Sequence, residues 1–346
     1  MIPAEKSKTI LFVAPNDYEL YKLIQKNLEF HGFKVTTILS NPIGVKYKNW
    51  REKVINFIKK TFFNDKKFKQ KLIKRNVLSY QINQLSEITN YDYGLFIRAD
   101  FFDDKLIKLA KQKVKHLVSY HYDGLKRSPE IFQKIKLFDA FYVFQKEDLT
   151  SSSLRLQPCT NFYFDYDLEK KTESKAQVDF YFLGSHHDSR FKDLIAFREM
   201  CIKHNYTFDF QIMLNKLNIS KKKIYTNNSF TYLDKILPFE SYIENIKKSK
   251  IIVDFVIDEH LGLSFRTFES IKYQKKLITT NSTIVNYDFY NPNNIYIINN
   301  NSFENIENFI NTDYVPLPDG IIEKYSFKNW INYILKINPS QNLIIP

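Results

Sequence analysis

The chain has 346 residues, enough for about two domains at roughly 150 residues each, and its 44% hydrophobic and 26% charged residues mark a folded globular protein. Only seven glycines occur, singly, at Gly32, Gly44, Gly94, Gly124, Gly184, Gly262 and Gly320, so neither a G-x-x-x-x-G-K-[ST] loop nor a G-x-G-x-x-G loop exists and nucleotide sites of those two kinds are excluded. Two cysteines, Cys159 and Cys201, cannot build a disulfide framework or a cysteine zinc site, and with no leader pattern and no uncharged apolar run of about 18 residues we expect a cytoplasmic chain.

Residues 9–14 (TILFVA) read as a strand buried on both faces, 17–31 as a helix and 34–39 (KVTTIL) as a β-branched strand, the start of a parallel α/β sheet. Much of the net charge of +13 comes next: residues 46–75 hold twelve basic residues against two acidic ones, a local +10. Within that segment Trp50, Val54, Phe57, Ile58 and Phe62 recur at helical spacing, with Lys59 and Lys60 among them and Lys66 and Lys67 just beyond. A basic amphipathic helix with aromatics on its apolar side fits an anionic membrane surface; a lysine-rich surface helix packed on its own domain, or a nucleic-acid contact, are the competing expectations.

The alternation resumes with a strand at 93–97, a helix at 104–112, a strand at 116–120, a helix near 129–137 and a strand at 140–144. A charged stretch after Asp165 reads as a linker. A second α/β run follows, with strands at 178–183, 208–212, 251–256, 276–280 and 295–298, helices at 190–204, 239–248 and 265–273, and a last helix at about 326–335.

Particular segments carry a resemblance. YDYGLFIRADFF, SYHYDGLKRSPEIFQKIKLFDAFYVFQKEDL, VDFYFLGSHHDSR and DEHLGLSFRTFESIKYQKKLITTNSTIVNYDFYNPNNIYII together resemble the bacterial lipopolysaccharide and capsule glycosyltransferases of the GT-B fold, over most of the chain outside 46–75. The resemblance implies two Rossmann-like doubly wound domains: an acceptor-binding one over 1–165, a nucleotide-sugar-binding one over 176–325, and a C-terminal helix and tail over 326–346 that packs back. It implies transfer of a sugar from a nucleotide-sugar donor to a glycan or glycolipid acceptor, at the inner membrane face, with no metal or other cofactor and no nucleic-acid partner. A polyol-phosphate transferase of the teichoic-acid type is the nearest alternative.

In an open α/β domain a donor lies beyond the carboxyl ends of the strands. That singles out Gly184 and Ser185 at the end of a strand, Gly262 at a turn, and Arg190 and Arg266 as guanidinium partners for a diphosphate. Glu269, three residues after Arg266, shares its helix face; the family-like reading makes it the second glutamate of E-x7-E, a ribose acceptor, while a plain exposed helical ion pair is the alternative. The signature is incomplete, since Leu261 stands at the first glutamate's position with His260 as its polar neighbour. For a general base the strand ends of the first domain offer Asp17, His121 and Asp123; the last two, alternating with aromatics, would face one side, unless Asp123-Gly124 is merely a turn and His121 a packed core residue. Asp165-x-Asp167 and His186-His187-Asp188 have metal-like composition without metal-like context.

Overall fold

The computed structural model describes every residue except 1–6, 17–18, 43, 45–46, 151–153, 167–175, 215–217, 228 and 258–260, together with the side chains of 226 and 227. Two compact units emerge: residues 1–143 with 148–157, and residues 144–147 with 158–346.

In the first unit the elements run β1 (Thr9–Ala14), α1 (Leu20–Phe30), β2 (Lys34–Leu39), α2 (Trp50–Phe62), α3 (Phe68–Ser86), β3 (Tyr91–Ile97), α4 (Asp104–Lys111), β4 (Val114–His121), α5 (Ile131–Lys134), β5 (Ala140–Val143) and β6 (Leu156–Pro158). The sheet order is β2-β1-β3-β4-β5-β6, with β1 parallel to β2 and β3, β3 to β4 and β4 to β5. Leu11, Val13, Phe96, Leu117 and Phe141 from these strands meet Leu106 and Ala110 of α4 in one core. The continuous apolar strands are those a parallel sheet covered on both faces requires. The helix expected over 129–137 is shorter, α5 followed by a 3₁₀ turn at Ile135–Leu137.

The second unit runs β7 (Val178–Ser185), α6 (Asp188–Lys203), β8 (Phe208–Met213), α7 (Lys222–Asn227), β9 (Thr231–Leu233), α8 (Phe239–Lys248), β10 (Ser249–Asp254), α9 (Phe265–Lys272), β11 (Lys276–Thr279), β12 (Ile295–Ile297), α10 (Ile306–Asn311), α11 (Asp319–Lys324) and α12 (Phe327–Leu335). Its sheet order is β12-β11-β10-β7-β8-β9, with parallel pairing throughout. The order reverses direction between β7 and β10, so a crevice opens beyond the carboxyl ends of those two strands.

The boundary falls earlier than the charged stretch after Asp165 implied. Residues 159–164 and 166 are buried within the second unit because Phe162 and Phe164 pack with Phe265 and Phe327, and Phe162 sits 4.4 Å from the Trp330 ring of α12. The terminal helix thus belongs to the second unit rather than forming a separate element after it.

Glycine's usual work at tight corners has passed to another residue. Gly32 and Gly44 do adopt positive φ, but eleven described non-glycine residues do so too, and six of them are asparagines: Asn64, Asn90, Asn205, Asn300, Asn301 and Asn305. Asparagine tolerates the left-handed region because its short amide bonds the local backbone.

Candidate functional site

At the crevice of the second unit, α9 places Arg266 so that one guanidinium joins two strand ends. Its Nε donates to Asp254 Oδ1 at 2.8 Å, its Nη2 lies 2.7 Å from the same oxygen, and its Nη1 donates to the Leu183 carbonyl at 2.8 Å. Asp254 closes β10 and Leu183 lies near the end of β7, so Arg266 marks the point where the sheet order reverses. Ser264, the N-cap of α9, turns its hydroxyl to Asp254 Oδ2 at 2.8 Å instead of capping; among the described residues no side chain caps this helix. Of its first-turn amides Thr267 N bonds the Ser264 carbonyl at 3.2 Å, and the helix starts without a side-chain cap, which leaves its positive end open to a further acceptor.

Glu269, one turn further along α9, is buried, and the Tyr242 hydroxyl of α8 donates to its Oε2. Burial lifts the Glu269 carboxyl to about 7, with Tyr242 and Arg266 pulling it down and Asp254 pushing it up. The exposed helical Arg266–Glu269 pair is thereby ruled out, because the guanidinium bonds Asp254 and the carboxyl is enclosed.

Gly184 does not turn the chain. It remains in β7, opposite Ile212, and what it requires is space: a Cβ there would lie 2.8 Å from Arg190 Nη2 and 2.8 Å from the Phe182 ring. Arg190, buried, donates to the Ser185 carbonyl, and its guanidinium lies 5.4 Å from the Phe182 ring centre, the same distance as that of Arg266. Two arginines thus clasp one phenylalanine at the end of β7, rather than facing solvent as free phosphate ligands. Gly262 is also a packing glycine, since a Cβ would strike the Phe144 ring and carbonyl. His260 lies outside the described residues.

The histidine pair after β7 divides its roles. His187 caps α6, accepting from Ser189 N at 3.4 Å. His186 shares hydrogen bonds with Tyr225 Oη at 2.5 Å and Asp188 Oδ1 at 3.0 Å, with Lys221 Nζ 3.0 Å from its Nε2. Burial, then the Lys221 charge, holds its pKa below the usual histidine value.

In the first unit the base candidates part company. Asp17 lies outside the described residues. His121 is fully buried at the end of β4, stacked 6.2 Å from Phe141, and burial, with Arg98 acting in the same direction, drives its pKa to about 3 against the pull of Asp100. A neutral imidazole of so little basicity, closed off from solvent, is not the acid–base group expected, and its nearest carboxylate is Asp100 at 3.6 Å. Asp123 is instead ion-paired to Arg98 and lies 3.6 Å from Arg127. Arg98, at φ +54°, also grips Asp100 through Nε at 2.9 Å and Nη2 at 2.7 Å, and its guanidinium lies 4.9 Å from the Phe101 ring centre and 5.7 Å from that of Tyr122. A left-handed arginine held this tightly at strand ends is stored strain of the kind found at functional positions. Sequence reasoning did not single out Arg98 or Asp100: they follow directly on the strand expected at 93–97, and nothing in IRADFF signals the arginine's left-handed backbone.

The basic segment folds as a helical pair. α2 matches its expected limits, but it carries its apolar residues outward: Trp50 is 68%, Phe57 64% and Phe62 74% exposed, with Val54 and Ile58 exposed as well. Its buried residue is Glu52, which accepts from Lys48 N, Arg75 Nη2 and Asn76 Nδ2, each at 2.7 Å, while Asn49 caps the helix by accepting from Glu52 N at 3.1 Å. A polar clasp holds α2 to α3, and the aromatic residues of the apolar face, Trp50, Phe57 and Phe62, stay largely exposed.

Among the described residues no group of three or more His, Cys, Asp or Glu gathers as a metal site, and no helix is long and apolar enough to cross a membrane. Asp167 lies outside the described residues, and Asp165 accepts from Lys328 N.

No protein-family model matches the chain, and no curated protein matches it in sequence. By structure it is similar to an alpha-glucosyltransferase in complex with UDP (11% identity, 96% of this chain and 94% of that one, TM-score 0.55). It is similar as well to an alpha-glucosyltransferase in complex with UDP-glucose and DNA containing an abasic site (11%, 95% and 93%, 0.55) and to a glycosyltransferase from Rickettsia africae ESF-5 (13%, 96% and 97%, 0.50). Two Rossmann-like parallel sheets and this likeness identify the fold as GT-B.

Proposed function

We propose that the protein is a glycosyltransferase that moves a sugar from a nucleotide-sugar donor to a lipid-linked, lipopolysaccharide or capsule-type acceptor at the inner membrane face. The observation that carries the donor half is Arg266: it binds the ends of β7 and β10 where the sheet order reverses, beneath the uncapped N-terminus of α9. That is where an open α/β sheet receives a nucleotide. In this reading the first-turn amides of α9 meet the diphosphate, and buried Glu269 takes a ribose hydroxyl. Their fixed positive ends, not a metal, stabilise the leaving diphosphate. The UDP and UDP-glucose complexes of the alpha-glucosyltransferase support a uridine nucleotide. Calorimetric titration of UDP should show at least a tenfold affinity loss in Glu269→Gln and Arg266→Ala; unchanged affinity in both, with GDP and CMP equally unaffected, overturns the donor site.

Of the three base candidates this reading keeps Asp123, whose arginine partners can exchange onto a ligand. Asp123→Asn should lower turnover while UDP affinity stays within twofold, and an unchanged rate removes it.

The outward apolar face of α2, set among lysines, supports the membrane half. Charge reversal of Lys59, Lys60, Lys66 and Lys67 should abolish flotation with anionic vesicles, and flotation that persists overturns it. A second reading, sugar transfer onto a nucleic acid, is favoured by the DNA-bound neighbour and the local +10. It predicts duplex affinity that falls steeply with salt and is lost in the same charge-reversal variant. A polyol-phosphate transferase would instead release CMP from an activated polyol.

A further inference from the structure

Beyond β2, in the first unit, lies a cleft of about 330 Å³, at the small end of ligand sites of roughly 300–1,000 Å³. Its walls come from three places: Asn41 after β2, the inner face of α3, and the turn after β3 that carries Phe101 and Asp103. On α3 the lining residues Gln70, Ile73, Lys74 and Val77 fall at i, i+3, i+4 and i+7, which sets an apolar row, Ile73 and Val77, beside a polar row, Gln70 and Lys74. Phe101 is 46% exposed and has the Arg98 guanidinium over its ring, so an aromatic platform is held by the strained Arg98 turn that also binds Asp100 and Asp123.

We propose that this cleft is the acceptor subsite and takes one pyranose ring, stacked on Phe101, with its hydroxyls on Asn41, Gln70, Lys74 and Asp103. A pyranose offers polarised C–H bonds on one face and hydroxyls round its edge, and the lining supplies a surface for each: Phe101, Ile73 and Val77 for the C–H face, and Asn41, Gln70, Lys74 and Asp103 for the hydroxyls. An acyl chain would desolvate those amide and charged groups without bonding them. The volume suits one ring rather than an extended saccharide. The inference rests on reading the chain as a sugar transferase and adds which residues receive the acceptor and how much of it.

Saturation-transfer NMR on the whole protein tests it. The probes are methyl glycosides of glucose, galactose, N-acetylglucosamine and glucuronic acid, each free, and galactosyl diacylglycerol in phosphatidylcholine vesicles. At least one probe should receive saturation at its ring protons. The signal should fall at least fivefold in Phe101→Ala and at least twofold in Gln70→Ala, and Phe101→Tyr should keep it. Signal from the vesicle-bound sugar alone supports the cleft with a membrane glycolipid as its source, and signal from free glycosides supports it with a soluble saccharide. Equal signal in Phe101→Ala, or none from any probe in the unaltered protein, overturns it. UDP-induced thermal stabilisation is measured alongside: its absence with glycoside binding intact refutes the donor reading and leaves the cleft standing, whereas its presence with no glycoside bound refutes the cleft alone.

Discussion

Two buried glutamates of this molecule have opposite fates. Glu52 on α2 receives three donors, the Lys48 amide, the Asn76 amide and the Arg75 guanidinium, and together they hold its carboxyl below the ordinary range against the cost of burial. Glu269 on α9 has an arginine one turn away, but that arginine bonds Asp254, and among the described residues it is the Tyr242 hydroxyl that donates to the carboxylate. Its carboxyl rises to about 7. Burial pushes both carboxyls up and the donors aimed at them pull down: three donors prevail at Glu52, whereas at Glu269, far more deeply desolvated, burial prevails. Glu52 is therefore a fixed anion that fastens a helix, and Glu269 a carboxyl poised between charge states beside the crevice of the second unit.

The strongest way to break this contrast is to remove the competitor. Asp254→Ala leaves a nearly buried guanidinium without its carboxylate and should cost about 3–5 kcal/mol in urea denaturation. It should also turn Arg266 toward Glu269 and bring that carboxyl down toward the regime of Glu52; a loss under about 1 kcal/mol would mean that Arg266 is not held as described. Next in size is the proton itself. The folded pKa of Glu269 exceeds the unfolded one, so the native state binds the extra proton. The stability this gives is full below pH about 4.5 and is lost as pH rises through about 7. Integrated over that window the slope amounts to about 3 kcal/mol at most. Glu269→Gln should flatten it, and a slope that survives the substitution assigns it elsewhere. The smallest global effect belongs to Glu52→Gln. Losing the charge-assisted bonds, about 1.5–3 kcal/mol locally, should speed hydrogen exchange of α2 amides at least tenfold while the midpoint of global unfolding barely moves.

The fold was largely legible, because strands covered on both faces are written as uninterrupted apolar runs: TILFVA and KVTTIL take up the limits their sequence implies. α3 was not, since its buried residues Leu72, Val77, Gln81 and Leu85 are diluted by lysines, asparagines and glutamines. The site was half legible. The spacing of Arg266 and Glu269 lies in the sequence, but their partners do not: Asp254 and Tyr242 reach them only because β10 lies beside β7 and α8 packs nearby, and strand order is not a local property. The same limit applies to His121: its alternation with Tyr120 and Tyr122 implies a side shared with Asp123, but Phe141 of the adjoining strand stacks on it, and the packed-core alternative is the one the structure shows.

The asparagine corners have a consequence for ageing. A glycine in a left-handed turn is chemically inert, whereas an asparagine carries an amide among the thermolabile groups of proteins. Wherever prolonged heating deamidates one of these asparagines, an acid replaces the amide at a bend that sets the path of the chain, eroding a strongly basic protein's charge as it does so. The scarcity of glycine is thus a choice of turn chemistry with a shelf life.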